Sequence, residues 1–291
     1  MAHTLPCLLR SAADLPMARA CLRSLAAAEP GALLVLCNQG YLDTAAWQAE
    51  LAPLALDVVI VGDGTNLGIA AGRDRCFRWL WAHAPNCDFV SEIHLDMLFP
   101  PQWTAPLVAW LEAHPAEPMV CAGILTATGE LHPEGRPVAA LPQPFWHDVA
   151  AVQALLAASR RDEVMAGFVH PVVHRASELR AVGGYDTRFL RGHQGYEDDS
   201  LLLGYRLRVG LRHDWRPRCW LGSRVFHATL AQRMSLPGAG AAFTTNLHGL
   251  LAQYGVAGLE QLSLLYPGNE EFRRLAAAIV EDLAAQPPPL A

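Results

Sequence analysis

The first hundred residues constrain the fold most, because strand and helix signals alternate there at short intervals. Residues 4–10 read as a strand and 13–28 as a helix rich in Ala and Leu. Leu33-Leu34-Val35-Leu36-Cys37 is a compact apolar strand ending in the turn Asn38-Gln39-Gly40, and a helix follows near 44–52. Asp57-Val58-Val59-Ile60-Val61 is a buried strand closed by Gly62-Asp63-Gly64, 69–83 is a helix, and 88–95 is a fourth strand. Strands separated by helices in this way predict an α/β fold with a mostly parallel sheet covered on both faces. Ligands of such sheets sit at the carboxyl ends of the strands.

Three segments near those ends carry chemistry. The fourth strand closes in His94-Leu95-Asp96. Alternation along a strand puts His94 and Asp96 on one face and Leu95 on the other. An imidazole and a carboxylate so placed can reach one divalent ion, a donor pair that suits manganese or a similar ion, whereas an all-oxygen cage would suit magnesium or calcium. The plainer alternative is an Asp that caps the next turn beside a packed or exposed His94. In Thr65-Asn66-Leu67-Gly68, Asn66 can cap the following helix and Gly68 allows a close approach. Arg73, one turn on, can face a nucleotide phosphate or simply be exposed.

The third segment runs from Gly183 to Asp199, G-G-Y-D-T-R-F-L-R-G-H-Q-G-Y-E-D-D. A glycine pair, Gly183-Gly184, opens it. Glu197, Asp198 and Asp199 close it just ahead of an apolar, helix-like stretch. Backbone N–H groups and the helix dipole hold carboxylates ionised at such a place. A base that takes a proton from a sugar hydroxyl needs that state. His193 lies close enough before Glu197 to touch an acceptor, whereas His170 and His174 read as packed or surface imidazoles. Trp146 can stack on a sugar ring or fill a core.

Composition removes several alternatives. The chain has 291 residues, enough for one large or two modest domains. It has no lysine, which excludes a Schiff-base or a phosphate-loop lysine. Its net charge of −6 disfavours bulk nucleic-acid binding. With no strongly positive field, a phosphorylated ligand needs a divalent cation or local arginines. The 7 cysteines are scattered, which points to reduced, buried thiols. No apolar run approaches the roughly 18–20 residues of a membrane span, and Met1-Ala2-His3-Thr4 does not begin like a signal peptide; a cytoplasmic protein is expected. A nucleotidyltransferase needs a glycine-rich loop near the first strand, and residues 4–12 have none.

In their order along the chain, these pieces resemble the family-2 glycosyltransferases of GT-A fold, over roughly residues 4–230. Asn66-Leu67-Gly68 with Arg73-Asp74 is similar to that family's N-L-G…R-N helix start, and His94-Leu95-Asp96 falls where its D-x-D sits. Gly183-Gly184-Tyr185-Asp186 with Glu197-Asp198 resembles its G-G-[YF]-D…E-D region, a spacing shared with galactosyltransferases and chondroitin-type polymerases. Val225-Phe226-His227 resembles its late V-x-H. The resemblance implies an inverting transfer of a hexosyl type from a UDP-, GDP- or dTDP-sugar to a glycan or small-molecule acceptor. Asp96 and His227, with His94, would hold Mn2+ or Mg2+. Cys37, Asn38, Asn66, Gly68, Arg73, Leu95 and Asp96 would bind the donor. Asp198 would be the base, with Glu197 positioning and Asp199 sharing the role. Trp146, Gly183, Gly184, His193 and Tyr196 would meet the acceptor. The chain departs from the pattern at His94, and at Cys37-Asn38, where relatives carry an aspartate that reads the base. A non-catalytic module of the same fold, without metal or donor binding, is the competing expectation.

Residues 1–230 are thus expected to be the transferase domain, about 1–125 for the nucleotide-sugar and about 126–230 for acceptor and catalysis. The Pro-rich stretch 126–163 is expected to be irregular. Residues 231–291 are expected to be a helical extension with a disordered tail at Pro287-Pro288-Pro289. An oligomer stays open.

Overall fold

The computed structural model describes residues 1–138, 141, 144–210, 214–229, 238–266 and 268–285. Its elements in chain order are β1 (Ala2–Cys7), α1 (Leu15–Ala28), β2 (Leu33–Asn38), α2 (Thr44–Leu51), β3 (Asp57–Val61), α3 (Gly68–His83), β4 (Phe89–Glu92), β5 (Met97–Leu98) and α4 (Ala105–Ala113). There follow β6 (Met119–Thr126), β7 (Glu130–His132), β8 (Arg136–Pro137), α5 (Val149–Ala158), β9 (Val164–Ala166), β10 (Val172–Arg175), α6 (Ala176–Val182), α7 (Glu197–Val209), β11 (Arg218–His227), α8 (Ala239–Leu265) and α9 (Glu271–Ala285).

The sheet runs in the order β3-β2-β1-β4-β10-β6-β11-β5. β3, β2, β1 and β4 are parallel, as the alternation predicts. β10 then enters antiparallel between β4 and β6, and β6 pairs parallel with β11. Alternation sorts the side chains onto two cores. On β2, Leu34 and Leu36 pack with α1, α2, α4 and α5, while Val35 and Cys37 face α3. Hydrophobic strands with both faces covered need this arrangement, since neither face can be left wet.

The expectations for 1–83 match these elements to within about two residues at most ends, which is as sharp as helix and strand ends are defined. Two others differ. The fourth strand stops at Glu92 instead of 95, so His94 and Asp96 lie in a turn. The stretch 126–163 contains the β7-β8 hairpin and α5, the latter capped by Asp148 on the Ala151 N–H at 2.9 Å. The helices expected beyond 231 are α8 and α9, and their Leu250, Leu259, Leu262, Leu265, Phe272 and Ala276 share one core with Leu201, Leu202 and Leu203 of α7. Pro287–Pro289 lie outside the described residues. Among the described residues no helix is long and apolar enough to cross a membrane.

Candidate active site

A cavity of about 310 Å³ opens at the carboxyl ends of β1, β2 and β4. One wall is the turn after β4 and the end of β11. There His94 Nδ1 lies 3.4 Å from His227 Nε2, which lies 3.3 Å from Asp96 Oδ1. One ligand atom from each of the three residues falls within 4.8 Å of the other two. Metal–nitrogen and metal–oxygen bonds of about 2.0–2.2 Å, opened by roughly 90–110°, separate neighbouring ligands by about 3–3.5 Å. The two imidazoles and the carboxylate therefore fit a divalent ion, and imidazole nitrogens suit a transition metal better than magnesium or calcium. The pairing does not come from strand alternation. It comes from the turn at 93–96, held where the Ala228 N–H donates to Asp96 O at 2.9 Å.

The opposite wall is the start of α7. Tyr196 caps that helix in the left-handed region (φ 61°), after Gly195 at φ 98°. This sharp entry puts Glu197, Asp198 and Asp199 in the first turn, where the helix dipole favours anions. The three then diverge. Asp198 lines the cavity. Glu197 is 1% exposed. Asp199 points the other way and accepts from Tyr266 Oη at 2.8 Å.

Loop 192–195, which leads into α7, is clamped from α8. Asn246 is fully buried; its Oδ1 accepts from the Gly192 N–H at 2.6 Å and its Nδ2 donates to Gly195 O at 2.7 Å. A Cβ at Gly192 would lie 2.3 Å from Ala242 O, so only glycine permits this packing. The same loop brings His193 onto the start of α3, where the Ile69 N–H donates to His193 O at 2.9 Å. A Cβ at Gly68 would lie 2.6 Å from the His193 Cα. Gly68 thus admits a backbone, and His193 reaches the cavity beside Asn66.

Several expected site residues are placed elsewhere. Arg73 does not face a phosphate: it is fully buried, its Nε 3.1 Å from Glu92 Oε2, with its guanidinium donating to Thr4 O and Ile93 O. Nor is the start of α3 open to an anion. The Leu67 and Gly68 N–H groups donate to Gln39 Oε1 and Asn66 Oδ1 at 2.8 and 3.0 Å. Cys37 is buried on the α3 side. Asn38 is committed to its own turn, accepting from the Gly40 N–H and Trp47 Nε1 and donating to Leu42 O. Leu95 belongs to the core, yet it stays at the cavity and lines it beside His94 and Asp96. Trp146 packs on Phe145 at the core's edge. Gly183 ends α6 at φ 83°, and Gly184 lies against Phe77 and Trp81. Tyr196 meets Phe243 and Phe272 of α8 and α9. None of these aromatic or glycine residues lines the cavity.

Two residues absent from the sequence reading of the site stand behind it. Glu92, the last residue of β4, is fully buried. It accepts from His174 Nε2 at 2.8 Å and Tyr185 Oη at 2.7 Å, besides pairing with Arg73. Burial alone would raise its carboxyl; Arg73, then His170 and His174, outweigh that and hold it well below the ordinary range. Burial, then the Glu92 charge, pushes the Tyr185 phenol up. His170 sits between this cluster and Asp198. The signal for Glu92 was in the sequence: a carboxylate inside the apolar run Phe89-Val90-Ser91-Glu92-Ile93 must find partners or not fold inward.

No protein-family model and no curated protein sequence matches the chain. Solved structures do. TarS 1-349 of S. aureus matches with TM-score 0.52 at 11% identity, over 97% of this chain and 83% of that one. TarS 1-349 in complex with UDP gives 0.53 at 12%, over 90% and 71%. The mannosyltransferase PcManGT of Pyrobaculum calidifontis, in complex with GDP-Man and Mn2+, gives 0.51 at 15%, over 99% and 76%. The chain spans 34% of the longer TarS chain. At such identities the likeness is one of fold, and the fold is that of the GT-A glycosyltransferases.

Proposed function

We propose that this chain is an inverting, metal-dependent glycosyltransferase that moves a sugar from a nucleoside-diphosphate sugar to an acceptor hydroxyl. The observation that carries it is one cavity with a His94–Asp96–His227 ion site on one wall and Asp198 on the other. The relatives in fold support the donor class, since one binds UDP and another GDP-Man with Mn2+. No arginine is among the described residues lining the cavity, and Arg73 is spent on Glu92. Among the described residues the ion site is thus the group left to offset a diphosphate.

A divalent ion bound there would supply Lewis-acid stabilisation of the departing nucleoside diphosphate, and His94, Asp96 and His227 would hold it. Asp198, at the helix start, accepts the proton of the acceptor hydroxyl as that oxygen bonds to the anomeric carbon. The bond to the diphosphate breaks with its electron pair on the leaving group, and one displacement inverts the centre. The transition state is oxocarbenium-like, so catalysis asks for an aligned anion and no covalent partner. Residues 1–125 would serve the nucleotide-sugar and 126–230 the acceptor, with α8 bracing loop 192–195.

Sugar-nucleotide hydrolysis, with water in place of the acceptor, tests this on a panel of UDP-, GDP- and dTDP-sugars with Mn2+. Asp198→Asn should lower the rate by about 10²–10⁴-fold while leaving donor affinity nearly intact. Wild-type turnover in that variant would sink the assignment. Absence of any thermal stabilisation of the wild type by Mn2+ and the nucleoside diphosphates would favour the non-catalytic module instead.

A further inference from the structure

His170 follows β9, on the cavity wall between two carboxylates. Its ring is 6% exposed, lies 4.4 Å from that of His94 and meets Phe168 edge-on at 5.1 Å. Its Nε2 stands 3.6 Å from Glu92 Oε2 and 3.7 Å from Asp198 Oδ1, buried and beyond hydrogen-bond reach of both. A buried polar nitrogen left so is unfavourable, which calls for a compensating use.

Glu92 is drawn down in part by His170, yet at 3.6 Å it forms no hydrogen bond with that nitrogen. Each carboxylate oxygen accepts at about two lone-pair sites. Oε2 already faces Tyr185 Oη at 2.7 Å and Arg73 Nε at 3.1 Å, and Oε1 takes His174 Nε2 at 2.8 Å. Asp198 differs: its side chain is 28% exposed, faces the cavity, and needs to move by less than 1 Å to bring 3.7 Å within a normal N–H···O distance. Catalytic hydrogen bonds are often long before substrate is bound.

We propose that His170 is the positioning residue of Asp198: its Nε2–H donates to Oδ1 when the site is filled, leaving Oδ2 to receive the acceptor proton. His170 keeps its own proton throughout, and its ring is braced between His94 and Phe168. The inference rests on Asp198 being the base.

The test is a double-mutant cycle in the sugar-nucleotide hydrolysis assay. His170→Phe keeps the ring and removes the donor; His170→Gln restores an N–H. His170→Phe should lower kcat by about 10–100-fold, with donor KM within about twofold and Mn2+ affinity, read by electron paramagnetic resonance, unchanged. His170→Gln should recover part of the loss. In an Asp198→Asn background, His170→Phe should change the residual rate little. A kcat at the wild-type level in His170→Phe, an equal fold-loss in both backgrounds, or full rescue by excess Mn2+ would each overturn the proposal while leaving Asp198 as base. Wild-type turnover of Asp198→Asn alone, or no hydrolysis of any sugar nucleotide by the wild type, would remove both.

Discussion

Two clusters of one carboxylate and two or three basic groups lie within five residues of each other on the chain, and they do opposite things. Glu92 is enclosed by Arg73, His174 and Tyr185, with no exposure. Asp96, with His94 and His227, opens on the cavity. Residue type does not separate them, since both are carboxylates among imidazoles. What separates them is where their atoms lie. Glu92 accepts from His174 and Tyr185 and pairs with Arg73 inside the core, so the cluster ties β4 to α3, β10 and the Gly183-Gly184-Tyr185 turn. The Asp96 wall presents its atoms at ion-ligand spacing to solvent-accessible space.

Crossed substitutions break or sharpen this contrast. Arg73→Met should have the largest effect, because it leaves Glu92 a buried charge short of its ion pair. A loss of about 3–5 kcal/mol in denaturant unfolding is expected, with the increase in melting temperature caused by Mn2+ preserved in whatever fraction stays folded. If Arg73→Met instead left stability intact and weakened nucleotide binding, Arg73 would belong to the donor site after all. Asp96→Ala should do the reverse. Removing an ion ligand is expected to weaken Mn2+ binding by about 100-fold or more, at least the upper end of what loss of a supporting group costs. The metal-free melting temperature should hold or rise. Calorimetric titration with Mn2+ and with Mg2+ checks it, and Mn2+ binding as tight as in the wild type would remove the ion site from these residues.

The smallest effect is a pH slope. Glu92 is held below its ordinary range in the folded chain, so below about 4.5 the unfolded state binds more protons, and its stabilising contribution is lost as pH falls. His3, buried against Trp103 and bonded to Ser91 Oγ, is lowered to about 3 by its burial. Its unfolded state therefore takes up a proton first, from about pH 6.5 downward, and stability again falls with acid. His3→Gln should flatten the melting temperature between about pH 6.5 and 5 and leave the steeper loss below about 4.5. An unchanged slope in the upper window would show that other groups set it.

The sequence by itself determined the parallel half of the sheet. The reason is local: apolar runs such as Leu33–Cys37 and Asp57–Val61 bury both faces only as inner strands, and the intervening helices must then cover them. It also picked out His94, Asp96, His227, Asn66, Gly68, His193 and Asp198, which the fold gathers around one cavity. Tertiary structure alone decided which members of each motif stay inside the protein. Arg73 looks like a ligand-facing motif residue in one dimension, yet Glu92 claims it, together with Tyr185. Asp198 and Asp199 are neighbours in sequence, but about 100° of helix rotation sends one to the cavity and the other to Tyr266. His170 gains its place only from the distances to Asp198 and Glu92, carboxylates 28 and 78 residues away along the chain. A buried polar group's role is fixed by which partners saturate it, and partners brought from distant strands and helices are known only once the chain has folded.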